Sequence, residues 1–375
     1  MRLLKLWFPV YIIFAFTGFI ERESQAIQIP PESGKTINIG LLIQNNKSTS
    51  ARHGAEMAIL KANDEGGLNG IPFKLVELSM EGPWGTGSKQ AVNLIFEENV
   101  VAILGSNDGR NAHLVEQVSA KARVVFVSAW SGDPTLAQAF VPWYFNCVPT
   151  DPQQTEALTE EICVKENLHK IAVVSDNDYD SKLALNSFLK KSKTSGRPDP
   201  KQFFYDDTNL DFNVLTDKII NADINGIILF GQHAGSLKIM QQIQQKKISI
   251  PVFGSLSVMG GSEFDESEWK SFENAVLISS GQWFNSNGLK FSREFQKKWG
   301  NKPGPAAAYA YDGMNLIINA VKNAGTSREQ IQKYLKGVNY NGITGKIRFD
   351  DRGNRTGEVE LMRIKNGIPV RVTGN

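Results

Sequence analysis

Between Ile37 and Gly105 the chain alternates twice between short apolar runs and stretches of helical periodicity, and this alternation restricts the fold more than any other feature. Ile37 to Ile43 is an apolar run bounded by polar residues, after which Ala55, Ala58, Ile59 and Ala62 recur at helical spacing until Gly66-Gly67 stops the helix. Pro72 to Leu78 again reads as a strand. Ala91, Leu94, Ile95 and Glu98 mark a second helix with an apolar face, and Val100 to Leu104 reads as a buried strand. Strands alternating with helices predict a parallel sheet with helices on both faces. In such sheets ligands sit outside the carboxyl ends of the strands, which points at the loop Gly105 to Asn111.

A second alternating run begins near Thr150. Ile171 to Val174, Gln202 to Tyr205, Gly226 to Phe230 and Val252 to Gly254 read as its strands, and the segment 192–199 reads as a surface loop. No low-complexity linker separates the two runs, while the length suggests two domains at roughly 150 residues each. Met1 to Ala26 carries Arg2 and Lys5, an apolar run from Leu6 to Ile20, and a polar end at Ser24-Gln25-Ala26, the layout of a secretory signal. The apolar run is short against the roughly 20 residues that span a bilayer, and Pro9 interrupts it, so cleavage is expected rather than anchoring. Neither Cys147 nor Cys163 lies where a lipid would be attached, and the expected product is soluble in the periplasm. Cleavage removes three bases and two acids, so the formal charge falls from +2 to +1. A nearly neutral chain offers no electrostatic case for nucleic acid or an anionic membrane. Export leaves two readings for Cys147 and Cys163, a disulfide or two buried free thiols.

Several segments, in order along the whole mature chain, carry a family likeness: Ile37 to Leu42, Gly54-Ala55-Glu56-Met57-Ala58, Asn63 to Gly70, Ala310-Tyr311-Asp312-Gly313, and Gly342 to Asp350. Together they resemble the type I periplasmic solute-binding proteins of the branched-chain amino-acid transporter class. The resemblance implies an α/β fold of two doubly wound parallel-sheet lobes joined by a three-segment hinge. Residues 36–149 and 279–337 would form lobe 1, and residues 150–278 and 338–375 lobe 2. Three crossings make a hinge that lets the lobes close on a small-molecule ligand. It further implies a monomer, no cofactor, and the membrane permease of an ABC transporter as partner.

The resemblance also places candidate contacts. In the loop after Leu104, free amides at the start of a helix suit a carboxylate, with the helix dipole adding to the attraction; the competing reading is a plain turn capped by Asn107 or Asp108. The family's hydroxyl for the ligand carboxylate falls at Gly109, so it is absent here. A second contact segment runs from Ser128 to Pro134, where Trp130, Ser131 and Gly132 are candidates; Trp130 is either a stacking wall or a core or interface tryptophan. Tyr179 falls at an aromatic contact position and His233 where the family often has tyrosine, although His233 also reads as a hydrogen-bonded surface residue. His53 is either an aromatic lid or a solvated residue at a helix start. The acidic partner for a ligand ammonium falls near Leu256, which cannot pair with it, so amino acids with a free α-ammonium are expected to bind weakly unless Asp108 or Asp178 substitutes.

Enzyme readings find little support. Gly82-Pro83-Trp84-Gly85-Thr86-Gly87 has its glycines at the wrong offsets for a dinucleotide fingerprint, and no lysine follows. The histidines at 53, 113, 169 and 233 form no metal-spaced pair, and no nucleophile elbow occurs. A transport receptor for a small polar ligand, an amino acid or a related small carboxylate or amide, is the leading expectation, a sensory receptor using the same closure the second, and an exported hydrolase the third.

Overall fold

The computed structural model describes residues 35–106, 108–206, 211–260 and 266–372. The signal-like segment 1–26 and Asn107 lie outside them. The first lobe opens with β1 (Ile37–Ile43), α1 (Thr49–Asp64), β2 (Phe73–Ser79), α2 (Thr86–Val92), β3 (Ala102–Ser106), α3 (Gly109–Ala122), β4 (Val125–Ser128) and β5 (Tyr144–Asn146). The chain then crosses to α4 (Asp151–Thr159), β6 (Ile171–Asp176), α5 (Tyr179–Thr194), β7 (Lys201–Tyr205), α6 (Phe212–Ile220), β8 (Gly226–Phe230), α7 (His233–Gln245), β9 (Val252–Gly254), α8 (Glu266–Ser271) and β10 (Val276–Ile278). It returns for α9 (Ser286–Trp299), α10 (Pro305–Ala324) and α11 (Arg328–Lys336), forms the hairpin β11 (Tyr340–Gly342) and β12 (Gly345–Ile347), and ends in β13 (Leu361–Lys365) and β14 (Ile368–Arg371).

The strands form two sheets of one design. The first has the order β2-β1-β3-β4-β5 and is parallel throughout. The second repeats that order as β7-β6-β8-β9-β10 and then adds β13 and β14 antiparallel at its edge. Helices cover both faces, which is why β1, β3, β6 and β8 are nearly continuous apolar runs buried on both sides. In each sheet the order reverses between the first and third strands, so each lobe has its switch point at the carboxyl ends of β1 and β3 or of β6 and β8. The loop expected over Gly105 to Asn111 is shorter than the sequence suggests, because β3 runs to Ser106 and α3 begins at Gly109.

Helix ends follow local chemistry. Asp108 caps α3 by accepting from the Asn111 N–H, Asp178 caps α5 by accepting from the Ser181 N–H, and Thr150 with Gln153 forms a capping box at α4. Helices α1 and α10 cross closely because α1 presents glycine and alanines. A Cβ on Gly54 would lie only 2.1 Å from the Ala307 carbonyl oxygen.

The three crossings are tied to one another. Arg355 donates to the Cys147 carbonyl at 2.8 Å and to Thr344 Oγ1 at 3.0 Å, linking the first crossing to the third. Ser279 N–H reaches the Glu360 carbonyl at 2.8 Å, and Asn285 Nδ2 reaches the Ile343 carbonyl at 2.8 Å, linking the second to the third. Fully buried Asp312 on α10 anchors this bundle: it accepts from the Ile343 N–H at 3.0 Å, the Thr344 N–H at 2.8 Å and Thr344 Oγ1 at 2.6 Å. Burial pushes its carboxyl up, and those hydrogen bonds pull it back. Cys147 and Cys163 are buried free thiols.

Candidate functional site

The carboxyl ends of the two sheets face each other across a narrow cleft. A cavity there is lined from the first lobe by Trp130 and Gly132, from α4 by Asp151 and Gln154, and from α5 by Asp180 and Ala184. Gln232, Ser255, Leu256 and Ser257, beyond the ends of β8 and β9, complete the wall. Water-sized molecules find about 30 Å³ of room in it, space for one or two waters.

Hydrogen bonds cross this cleft. Gly109, at the start of α3, donates its N–H to Asp180 Oδ1 at 2.9 Å, and Tyr179 donates its hydroxyl to Asp133 Oδ2 at 3.2 Å. The Asp151 N–H reaches the Gly132 carbonyl at 2.8 Å. Within the wall, Gln154 Oε1 accepts from the Leu256 N–H at 2.9 Å.

The electrostatics are one-sided. Burial pushes the Asp180 carboxyl up to about 7 against the Gly109 N–H, with Asp108, Asp178 and Asp133 adding to the rise. Burial also holds the Asp151 carboxyl well above the usual carboxylate range, and the charges of Asp180 and Asp133 reinforce it. Asp133 has partners: burial raises it, but hydrogen bonds from His113 and Thr135 outweigh burial and hold it low. His113 lies 3.2 Å from Asp133 Oδ2 and 3.5 Å from Glu116, and these carboxylates, Asp133 first, raise it to about 9.

Four of the residues singled out from the sequence come together at the cleft. Trp130, Gly132 and Leu256 line the cavity, and Gly109 is bonded to Asp180 at its wall. Tyr179 bridges the lobes through Asp133 and is not among the cavity-lining residues. Asp108 serves as a helix cap, bonded to Asn111 at 2.8 and 2.9 Å, and Asp178 likewise caps α5, so both acids proposed as ammonium partners are committed to helix starts. Ser131 is buried in its own turn, where its Oγ accepts from the Asp133 N–H at 3.2 Å.

Two expectations need correction. His53 is not a lid over the cavity, because its ring stacks on Trp299 of α9 at 4.4 Å and meets Phe295 edge-on. His233 is not a cavity residue either, since it is buried inside the second lobe with Nδ1 3.0 Å from the Val258 carbonyl and Nε2 3.1 Å from Glu268. Sequence reasoning missed Asp151, Gln154, Asp180 and Gln232. Asp151 lies inside the capping box that begins α4 and Gln154 directly after it, while Asp180 directly follows Tyr179, so three of the four stand in first turns of helices, where their residue types give no sign of a cavity. Among the described residues no group of three His, Cys, Asp or Glu side chains could hold a metal ion, and no helix is long and apolar enough to cross a membrane.

Comparison with known proteins adds to this geometry. Residues 43–368 match the periplasmic binding protein family. Glutamate receptor 3.4 of Arabidopsis thaliana is 21% identical over 89% of this chain, which spans only 39% of that receptor's length. An amino acid binding protein of Pseudomonas aeruginosa is 21% identical, with 80% of this chain and 81% of that protein aligned. Among solved structures, the branched-chain amino acid transporter substrate binding protein LivJ from Streptococcus pneumoniae, in complex with isoleucine, has a TM-score of 0.77 at 21% identity, covering 90% of this chain and 100% of that one. A solute binding protein of an ABC transporter from R. palustris, in complex with benzoate, reaches 0.78 at 16% identity, covering 90% and 96%. The repeated sheet order and the inter-lobe cleft agree with that match: the chain belongs to the periplasmic binding protein family, in the type I group that contains the Leu/Ile/Val-binding proteins.

Proposed function

We propose that this chain is an exported, monomeric solute receptor of an ABC-type transporter, which captures one small molecule between its lobes in the periplasm and presents the closed form to a membrane permease. The observation that carries the reading is the cavity at the meeting of two switch points, walled by both lobes and spanned by the Gly109–Asp180 and Tyr179–Asp133 hydrogen bonds. A ligand that contacts both walls binds the closed form better than the open one, which is what a ligand-driven closure requires. The bundle of crossings around Asp312 and Arg355 is the proposed hinge, with residues 36–149 and 279–337 moving against 150–278 and 338–375. Relatives bind isoleucine and benzoate, so the solute class is a small molecule with an apolar body, suited to the Trp130 and Leu256 walls.

Similarity to a glutamate receptor favours a second reading, a sensor in which the same closure is passed to a signalling protein. Native mass spectrometry of the protein from its own periplasm tests what both readings share. The expected result is a retained solute in a one-to-one complex. A chain that retains nothing, and whose unfolding temperature no amine, amino acid or aromatic acid raises, contradicts both.

A further inference from the structure

We infer that the cleft selects an organic ammonium ion without a carboxylate, held by the paired carboxylates of Asp151 and Asp180. The inference rests on the receptor reading above and names its ligand class.

Three observations converge on it. Asp151 lines the cavity, is 7% exposed, and its Oδ2 is buried with no hydrogen-bond partner among the described residues. A buried carboxylate oxygen without a donor is costly, and a charged N–H donor from a ligand is the group that relieves it most strongly. Asp180 lines the same cavity, and the charges acting on both carboxylates come from other acids, Asp133, Asp108 and Asp178, rather than from any lysine or arginine. No lysine or arginine is among the described residues that line the cavity, so a ligand ammonium is the cation that would let these buried acids ionise.

The site for a ligand carboxylate is meanwhile filled. The amide at the start of α3, the natural anion position of the first lobe, is taken by Asp180 at 2.9 Å. Space beside it is filled as well. A Cβ on Gly109 would lie 2.6 Å from Asp133 Oδ2 and 2.9 Å from Asp180 Oδ1, and one on Gly132 would lie 2.5 Å from Asp151 Oδ1. Where the family offers hydroxyls to a ligand carboxylate, this chain brings up carboxylates of its own. An incoming carboxylate would add negative charge beside acids that already oppose one another, whereas an ammonium meets two acceptors in a wall that Trp130 shares. A metal ion is disfavoured, because no three-ligand group occurs among the described residues. The expectation built on Leu256, that the ammonium end is the obstacle for amino acids, is thereby replaced: the obstacle is the carboxylate end.

Three probes that share one apolar body separate the possibilities: isoamylamine, leucine and 4-methylpentanoate, measured by titration calorimetry on the mature chain. Isoamylamine is expected to bind, leucine at least tenfold more weakly, and 4-methylpentanoate not at all. Asp151→Asn and, separately, Asp180→Asn are expected to weaken isoamylamine at least tenfold while leaving the unfolding temperature equal or higher, since each replaces a carboxyl whose ionisation burial opposes. A carboxylate that binds as tightly as the amine overturns the inference and leaves the receptor reading intact. Absence of amine binding, or amine binding untouched by both variants, overturns it too. Contraction on binding any solute tests the receptor reading separately.

Discussion

Gly109 in the first lobe donates its backbone N–H to Oδ1 of Asp180 in the second, at 2.9 Å across the cleft. The amide of a helix start, a position suited to an anion, is thus answered by the protein's own carboxylate, and the bond joins the two lobes.

Removing that carboxylate should free the amide. In Asp180→Ala, exchange of the Gly109 amide hydrogen is expected to quicken by at least tenfold while amides of β1 and β8 keep their protection. Equal protection in variant and parent would mean that the cross-cleft bond does not persist in solution.

Gly109→Ser, which restores the hydroxyl expected from the family, should not restore carboxylate binding. The new Cβ would meet Asp133 Oδ2 at 2.6 Å and Asp180 Oδ1 at 2.9 Å, and crowding of that kind costs roughly 1–3 kcal/mol. Urea unfolding should show the midpoint falling, and a gain of affinity for leucine or benzoate would speak against the packing described.

Much of the fold was legible because it rests on local signals. The apolar run of β1, the Gly54 to Ala58 segment and the Ala310 to Gly313 segment each carry a physical constraint: burial on both faces, a helix crossing that leaves no room for a Cβ, and a buried acid that holds the hairpin. The site was legible only in part. Trp130, Gly132 and Leu256 were singled out by the family resemblance, each in a segment that follows a strand. Asp151 and Asp180 could not be singled out, because an acid in the first turn of a helix ordinarily answers the helix dipole, and only the facing lobe turns these two toward a cavity. His53 and His233 misled for the complementary reason: their partners, Trp299 and Glu268, are distant in sequence.

The hinge bundle should be sensitive to Asp312. Replacing it by alanine deletes three hydrogen bonds and leaves the Ile343 and Thr344 N–H groups buried without acceptors, at about 1–3 kcal/mol for each. Asp312→Ala is therefore expected to lower stability by about 3 kcal/mol in urea unfolding, with Asp312→Asn milder. A loss within experimental error for the alanine variant would show that the crossings hold together without it.

Stability should also depend on pH through His113. Its pKa rises to about 9 in the folded chain through Asp133 and Glu116, so its contribution is full below its unfolded value of about 6.5 and is lost as pH rises through about 9. Asp180 acts in the same direction, since a carboxyl raised to about 7 is destabilising once ionised. Because His113 is partly exposed, its share is on the order of 1–2 kcal/mol. Thermal unfolding between pH 6 and pH 10 should show a falling midpoint, and His113→Gln should flatten that fall. An equally steep fall in the variant would assign the dependence elsewhere.

Closure of the two lobes on a bound solute is tested most directly by small-angle X-ray scattering of the protein with and without its solute. The radius of gyration is expected to be smaller with solute bound, and Asp180→Ala without solute is expected to be larger than the parent. A radius unchanged by a solute that calorimetry shows to be bound would contradict closure of the two lobes.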